Sequence, residues 1–185
     1  DEGEYRRSAE AYRKLYDVSG DSSIRGIASE GYVDATLKYG NDAEVRAMAD
    51  DVERMADATI WAKNRSQLMK AHSLRSVGEN AKALAIYESL AANRKSKEGA
   101  EAYYYLIEAK YAEGNYAGVE QMVYNLGECG SVYWQAKAFL LLGDALVKQN
   151  NTFQARATYQ SIVDGYSFKD DGIIEEAQQR INAIN

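Results

Sequence analysis

The feature that most constrains this chain is a turn that returns. Gly114-Asn115-Tyr116 follows Leu106 and Ala109 and precedes Val119, Val123 and Leu126. Thirty-six residues on, Asn150-Asn151-Thr152 follows Leu142 and Ala145 and precedes Ala155, Tyr159 and Ile162. The same step back reaches Gly78-Glu79-Asn80, followed by Ala83, Tyr87 and Leu90. Gly40-Asn41-Asp42 precedes Val45, Ala49 and Val52, and Gly3-Glu4-Tyr5 precedes Ser8, Tyr12 and Leu15. Residues five, nine and twelve places after each turn share one face of a helix. Glycine suits such a turn because it accepts positive φ at a helix C-terminus, with asparagine the next best choice. The chain therefore reads as a recurring helix-turn-helix, whose units must stack to bury their apolar faces.

Composition agrees with an all-α fold. There is no proline in 185 residues, so nothing interrupts a helix by removing a donor. Fifteen tyrosines suit helix packing in which a ring is buried and its hydroxyl finds a partner. The pattern predicts helices near 5–18, 24–39, 43–56, 58–77, 80–93, 97–113, 117–128, 131–149, 152–165 and 171–184. Connections such as 19–23, 93–97 and 127–131 carry Ser, Gly, Asp or Lys and are too short for domain linkers. The expectation is a single array over 1–185. It has a half repeat at 1–18, repeats at about 24–56, 58–93, 97–128 and 131–165, and a capping helix at 171–184. The last helix places Ile173, Ile174, Ala177, Ile181 and Ile184 on one stripe and leaves Glu175, Glu176, Gln178, Gln179, Arg180 and Asn182 for water. At the other end, Tyr5, Ala9, Tyr12 and Leu15 form an apolar face whose partner helix is expected upstream. An uncovered face of that kind tends to associate, so a homodimer through Tyr5, Tyr12 and Leu15 is a further expectation.

The formal charge is −6, and no basic stripe is present. That disfavours nucleic acid as a partner. Cys129 is the only cysteine, which excludes an internal disulfide. No apolar run approaches the roughly 18 residues that cross a bilayer.

The repeat resembles the tetratricopeptide family, a 34-residue helix-turn-helix unit that stacks into a right-handed superhelical solenoid. The likeness rests on Phe139, Leu142, Gly143, Leu146, Ala155 and Tyr159 in one unit, with Ile162 at the family's next small-residue position. In the unit starting at Ala100 it rests on Tyr103, Leu106, Gly114, Asn115 and Tyr116. The first half matches poorly, the proline late in the family's unit is missing, Ile107 replaces a small residue, and the period is longer than 34. The resemblance implies about five antiparallel helix pairs. Similar long-period arrays occur in bacterial envelope and assembly proteins, an analogy that leans toward periplasm or cell envelope and leaves the cytoplasm open.

In that family the first helix of each unit lines a concave groove. Carried over by the turn alignment, the groove here includes Glu30, Asp34 and Lys38, then Arg65, Leu68, His72 and Arg75. Tyr104, Glu108 and Tyr111 follow, then Lys137, Asp144 and Lys148. The Lys/Asn/Arg clamp with which one subfamily grips a partner's C-terminus is absent. Tyr103-Tyr104-Tyr105 is open to two readings: packing between helices, or an aromatic recognition strip of Tyr104 with Tyr111, one heptad apart.

Little in the chain points to chemistry. His72 stands alone, with no Cys or carboxylates in ligand spacing. Cys129 lies in a glycine-rich connection without a resolving cysteine or an obvious base. The pairs Asp50-Asp51, Asp170-Asp171 and Glu175-Glu176 do not converge across a cleft as hydrolase carboxylates do. The expectation is a non-enzymatic scaffold, with no catalytic residue, metal or cofactor, that binds a peptide or helix of a partner protein in its groove. The alternative is a glycan or small-ligand module of a cell-envelope system that uses the groove tyrosines.

Overall fold

Most of the helices open where a polar side chain meets their free amides. Asp21, Asn41, Thr59, Ser96, Asn115, Ser131 and Asn151 each accept from backbone N–H groups of the first turn they precede. Asn41 and Glu44 cap each other's backbone reciprocally. In a computed structural model these starts and the apolar periodicity give ten helices among the described residues, 2–168 and 170–184. Residues 1 and 185, the ends of the expected array, lie outside the described residues. The helices are α1 (Glu2–Val18), α2 (Ser22–Tyr39), α3 (Asp42–Arg54), α4 (Ile60–Ser76) and α5 (Asn80–Ala91). Then come α6 (Lys97–Ala112), α7 (Tyr116–Tyr124), α8 (Val132–Lys148), α9 (Thr152–Gly165) and α10 (Ile173–Ala183). The described residues contain no strand, and no helix is long and apolar enough to cross a membrane.

The turns between α4 and α5, α6 and α7, and α8 and α9 are built alike. Gly78 (φ 82°), Gly114 (φ 74°) and Asn150 (φ 60°) are left-handed. The amide of each donates to the carbonyl three residues back: Arg75, Tyr111 and Val147. The next amide donates to the carbonyl five back: Leu74, Lys110 and Leu146. This is the Schellman arrangement, and it recurs at the 36-residue step. Two of the expected turns differ. Gly40 has φ −69° and hands over directly to the Asn41 cap, while Gly3 lies inside α1.

Contacts divide the chain into two compact units, Asp1–Ile86 and Tyr87–Asn185, with the boundary inside α5. In the first, α1 packs on α2 and α3 on α4, around Tyr16, Val33, Val45, Met48, Val52 and Met55. The α3–α4 connection is tied down by earlier helices. The Asp57 amide donates to the Tyr16 hydroxyl at 2.9 Å, the Thr59 amide donates to Ser29 Oγ at 3.2 Å, and Arg25 pairs with Asp57 at 3.0 Å. The face of α1 that carries Tyr5, Ala9, Tyr12 and Leu15 packs in part on α2. Ala9 and Tyr16 are buried, the Tyr12 ring lies against Gly31, and Lys38 sits 5.0 Å from the Tyr5 ring centre. Tyr5, Tyr12 and Leu15 stay a little over one-third exposed.

In the second unit α8 is central and touches α6, α7, α9 and α10. The residues at the repeat offsets are core: Val119, Val123 and Leu126 from one turn, Ala155, Tyr159 and Ile162 from the next. α7 stops at Tyr124, short of the expected 128, because Asn125 takes a non-helical ψ and Gly127 turns left-handed. α10 starts at Ile173, after Gly172 (φ 80°), with the Asp171 carboxylate accepting from the Ile173 amide. Ile173, Ala177 and Ile181 are buried, as the stripe requires.

Within each unit one alternate pair of helices runs parallel. Arg6 reaches Glu44 and Arg13 reaches Asp51, both 38 residues on, which fixes α1 and α3 in one direction. Lys137–Glu176 and Asp144–Arg180 do the same for α8 and α10.

Tyr159 approaches α8 so closely that a Cβ on Gly143 would stand 2.2 Å from its ring. Gly143→Ala should therefore cost about 1–3 kcal/mol by overpacking. It should lower the thermal midpoint by several degrees in a circular-dichroism melt. Gly165→Ala, where the new methyl meets nothing within 4 Å, should leave the midpoint nearly unchanged.

Candidate functional site

The groove residues taken from the turn alignment fare differently in the two units. In the first, Asp34, Lys38 and Arg75 are exposed, and Glu30, Arg65 and His72 are half-buried. Leu68 is a correction: it is fully buried, because it shares the core face of α4 with Ala71 and Leu74. In the second unit the face that α6 and α8 share with α10 collects most of the remaining residues.

The three consecutive tyrosines of α6 all have packing partners. Tyr103 is buried, donates to the Met122 carbonyl of α7 at 2.9 Å and lies under the Arg94 guanidinium. Tyr105 stacks on Tyr87 at 5.2 Å and meets Trp134 at 5.8 Å. Tyr104 is half-buried, with its ring 5.1 Å from Trp134. Burial pushes its phenol well above the usual tyrosine range, and the charges of Glu108 and Glu176 add to the rise. All three pack, Tyr103 being buried while Tyr104 and Tyr105 each keep part of their surface.

Trp134 escaped the alignment, which stops at Lys137. One helical turn earlier, on the same face, stands Trp134, so continuing the i, i+3 count would have found it.

Two turns further along α6 a second constellation forms. Tyr111 faces Tyr116 at 5.4 Å between ring centres. It also lines a cavity of about 190 Å³ with Asp144, Val147, Lys148, Tyr159 and Arg180. Asp144 Oδ1 accepts from the Tyr159 hydroxyl at 2.7 Å and from Arg180 Nε at 3.0 Å. Arg180 Nη1 also donates to Glu176 Oε2 at 3.2 Å, and Lys137 lies 3.5 Å from Glu176. Burial opposes the charge on Arg180, but Asp144 and Glu176 outweigh it and raise its pKa further. Glu176 and Arg180, read from the sequence as residues for water, thus fold back on α8 one turn apart. Lys148 remains exposed at the rim.

Elsewhere the described residues hold no group of three or more His, Cys, Asp or Glu placed to bind a metal ion. The Cys129 thiol donates to the Ser131 carbonyl. No known protein family, no curated protein and no solved structure matches this chain.

Asp144 serves two donors at once, so Asp144→Ala strands the Tyr159 hydroxyl and removes one partner of Arg180. We expect a loss of about 1–3 kcal/mol in a urea titration, with Asp144→Asn closer to the parent. A pH effect follows from the phenols. Burial and then the Asp144 hydrogen bond push Tyr159 well above the tyrosine range, and burial with Asp171 holds Tyr166 at about 12. In the unfolded chain tyrosines ionise near 10. The folded state keeps more protons between those values, so stability is intact below about pH 10 and falls as pH rises toward about 12. Urea midpoints across that window should decline, and less steeply in Tyr159→Phe.

Proposed function

We propose that the chain is a non-enzymatic, tetratricopeptide-like scaffold, a right-handed solenoid that holds a peptide or helix of a partner protein. The observation that carries this reading is the shared face of α6, α8 and α10. It gathers Tyr104, Tyr111, Trp134, Lys137, Asp144 and Lys148 within one unit. Half-buried aromatic rings bordered by charges of both signs are the usual makings of a protein-binding surface. Helix-in-groove or extended-peptide binding needs no chemistry from such a face. The identical turns at Gly78, Gly114 and Asn150, and the parallel pairing of alternate helices, favour a stacked array over an irregular bundle.

Selection of displayed peptides against the whole chain, with glycan and small-ligand arrays in parallel, tests the reading. Selected peptides should bind Tyr111→Ala with Lys137→Met at least about tenfold more weakly, as measured by calorimetry, because an interface anchor is worth on the order of 2 kcal/mol. Unchanged affinity would place the docking surface elsewhere. Enrichment on the glycan array alone would favour the envelope-ligand alternative.

A further inference from the structure

The most exposed large apolar side chain among the described residues is Phe153, at 85%. It stands in the first turn of α9, just past the left-handed Asn150. Single exposed apolar residues are ordinary, but this one has a counterpart on its own helix. At the other end of α9 an apolar cavity of about 230 Å³ lies between α8 and α9. Val132, Ala136 and Phe139 line it from α8, and Ile162, Gly165 and Tyr166 from α9. The exposed Phe168 ring extends the apolar surface, 5.6 Å from that of Tyr166. Helical spacing puts Val132, Ala136 and Phe139 on one side of α8 and Trp134 and Lys137 on the other. The cavity is therefore separate from the docking face proposed above.

Size and charge name the occupant. Roughly 150 Å³ of apolar space takes up one benzene ring, whereas pockets that enclose a whole small molecule begin at ~300 Å³. The cavity thus suits a single aromatic side chain. Phe153 lies in a stretch, 145–163, whose only charged residues are Lys148 and Arg156, both exposed. The cavity's end of α9 is the reverse. Residues 164–171 carry three aspartates against one lysine, and Asp164, Asp170 and Asp171 are all exposed. The partial charges of α9 run the same way, positive beside Phe153 and negative beside Gly165. Knob and hole are roughly 18 Å apart along one helix, so a copy cannot fill its own cavity. A second copy brings the missing ring, with basic residues around it to face the aspartates.

We propose that the chain associates head to tail with itself, Phe153 of one copy seated in the α8–α9 cavity of the next. Such a contact is heterologous. Every added copy offers a fresh knob and a fresh hole, so association continues past the dimer into a ring or an open row. Burial of the ring supplies the attraction. The opposed charges set its direction and weaken with added salt.

Sedimentation of the whole chain over a rising concentration series tests this, and the mean mass should climb past that of a dimer. Phe153→Ser removes the knob and Gly165→Trp fills the hole, so each should weaken association at least about tenfold. Both should melt with the parent, because the Phe153 ring stands mostly in water and a side chain at 165 meets open space. Mixed in equal amounts, the two variants should form dimers and nothing larger, since only one knob and one hole remain usable. Excess N-acetylphenylalaninamide should lower the parent's mass by competing for the cavity, a readout that needs no variant. A parent that stays monomeric throughout overturns the proposal; if the amide then shifts the cavity's backbone resonances, the occupant is a foreign aromatic side chain. Association that Phe153→Ser or the amide leaves unchanged, or blocked variants that fail to pair when mixed, overturns it equally.

Discussion

The left-handed residue at the end of each first helix is the constraint on which the repeat depends. An α-helix leaves its last carbonyls without partners, and in the three well-formed turns Gly78, Gly114 and Asn150 reverse the backbone so that two following amides satisfy them. The reversal sets where the second helix starts. Its residues five, nine and twelve positions on then land on the preceding helix. Tyr87 and Tyr159, nine residues after their turns, are both almost fully buried. A left-handed asparagine at 150 does what glycine does at 78 and 114, at some strain, because its short polar side chain tolerates that region better than most.

This dependence explains how much of the molecule could be read in advance. The ten helices, their order and most of their ends follow from turn residues and apolar offsets, which are local. Ends were missed where local chemistry was subtler. At 125–130 the sequence still reads as helix by its apolar spacing, but Asn125 and Gly127 end α7 early. At α10, Asp171 and Gly172 shift the start by two residues.

The candidate site was less legible because it depends on which helices meet. Counting positions from the turn found Tyr104, Tyr111, Lys137, Asp144 and Lys148, which do share a face. It also included Leu68, which the fold buries: the count identifies a helical angle, and the same angle faces core or solvent according to the neighbours present. Trp134 and Arg180 were invisible for complementary reasons. Trp134 precedes the counted window, and Arg180 sits on a helix whose polar residues seemed destined for water.

Arg180 also shows why α10 is more than a lid on the last apolar face. Ile173, Ala177 and Ile181 would bury equally well if α10 slid along α8 by one turn, since burial of apolar area is non-directional. The charges are not so permissive. Lys137 meets an anion and Asp144 a cation, so the polarity of the α8–α10 pairs reverses from one level to the next. A slide of one turn toward α8's C-terminus would bring Glu176 up to Asp144, placing like charges together in a half-buried setting. The ion pairs add little to stability, being partly exposed, but they select one register among several that the apolar stripe permits. That register is what places Arg180 beside Tyr111 and Lys148. The meeting of Arg180, Asp144 and Tyr111 in one cavity is thus a consequence of how α10 is aligned, and it would disappear with the alignment even if α10 stayed folded.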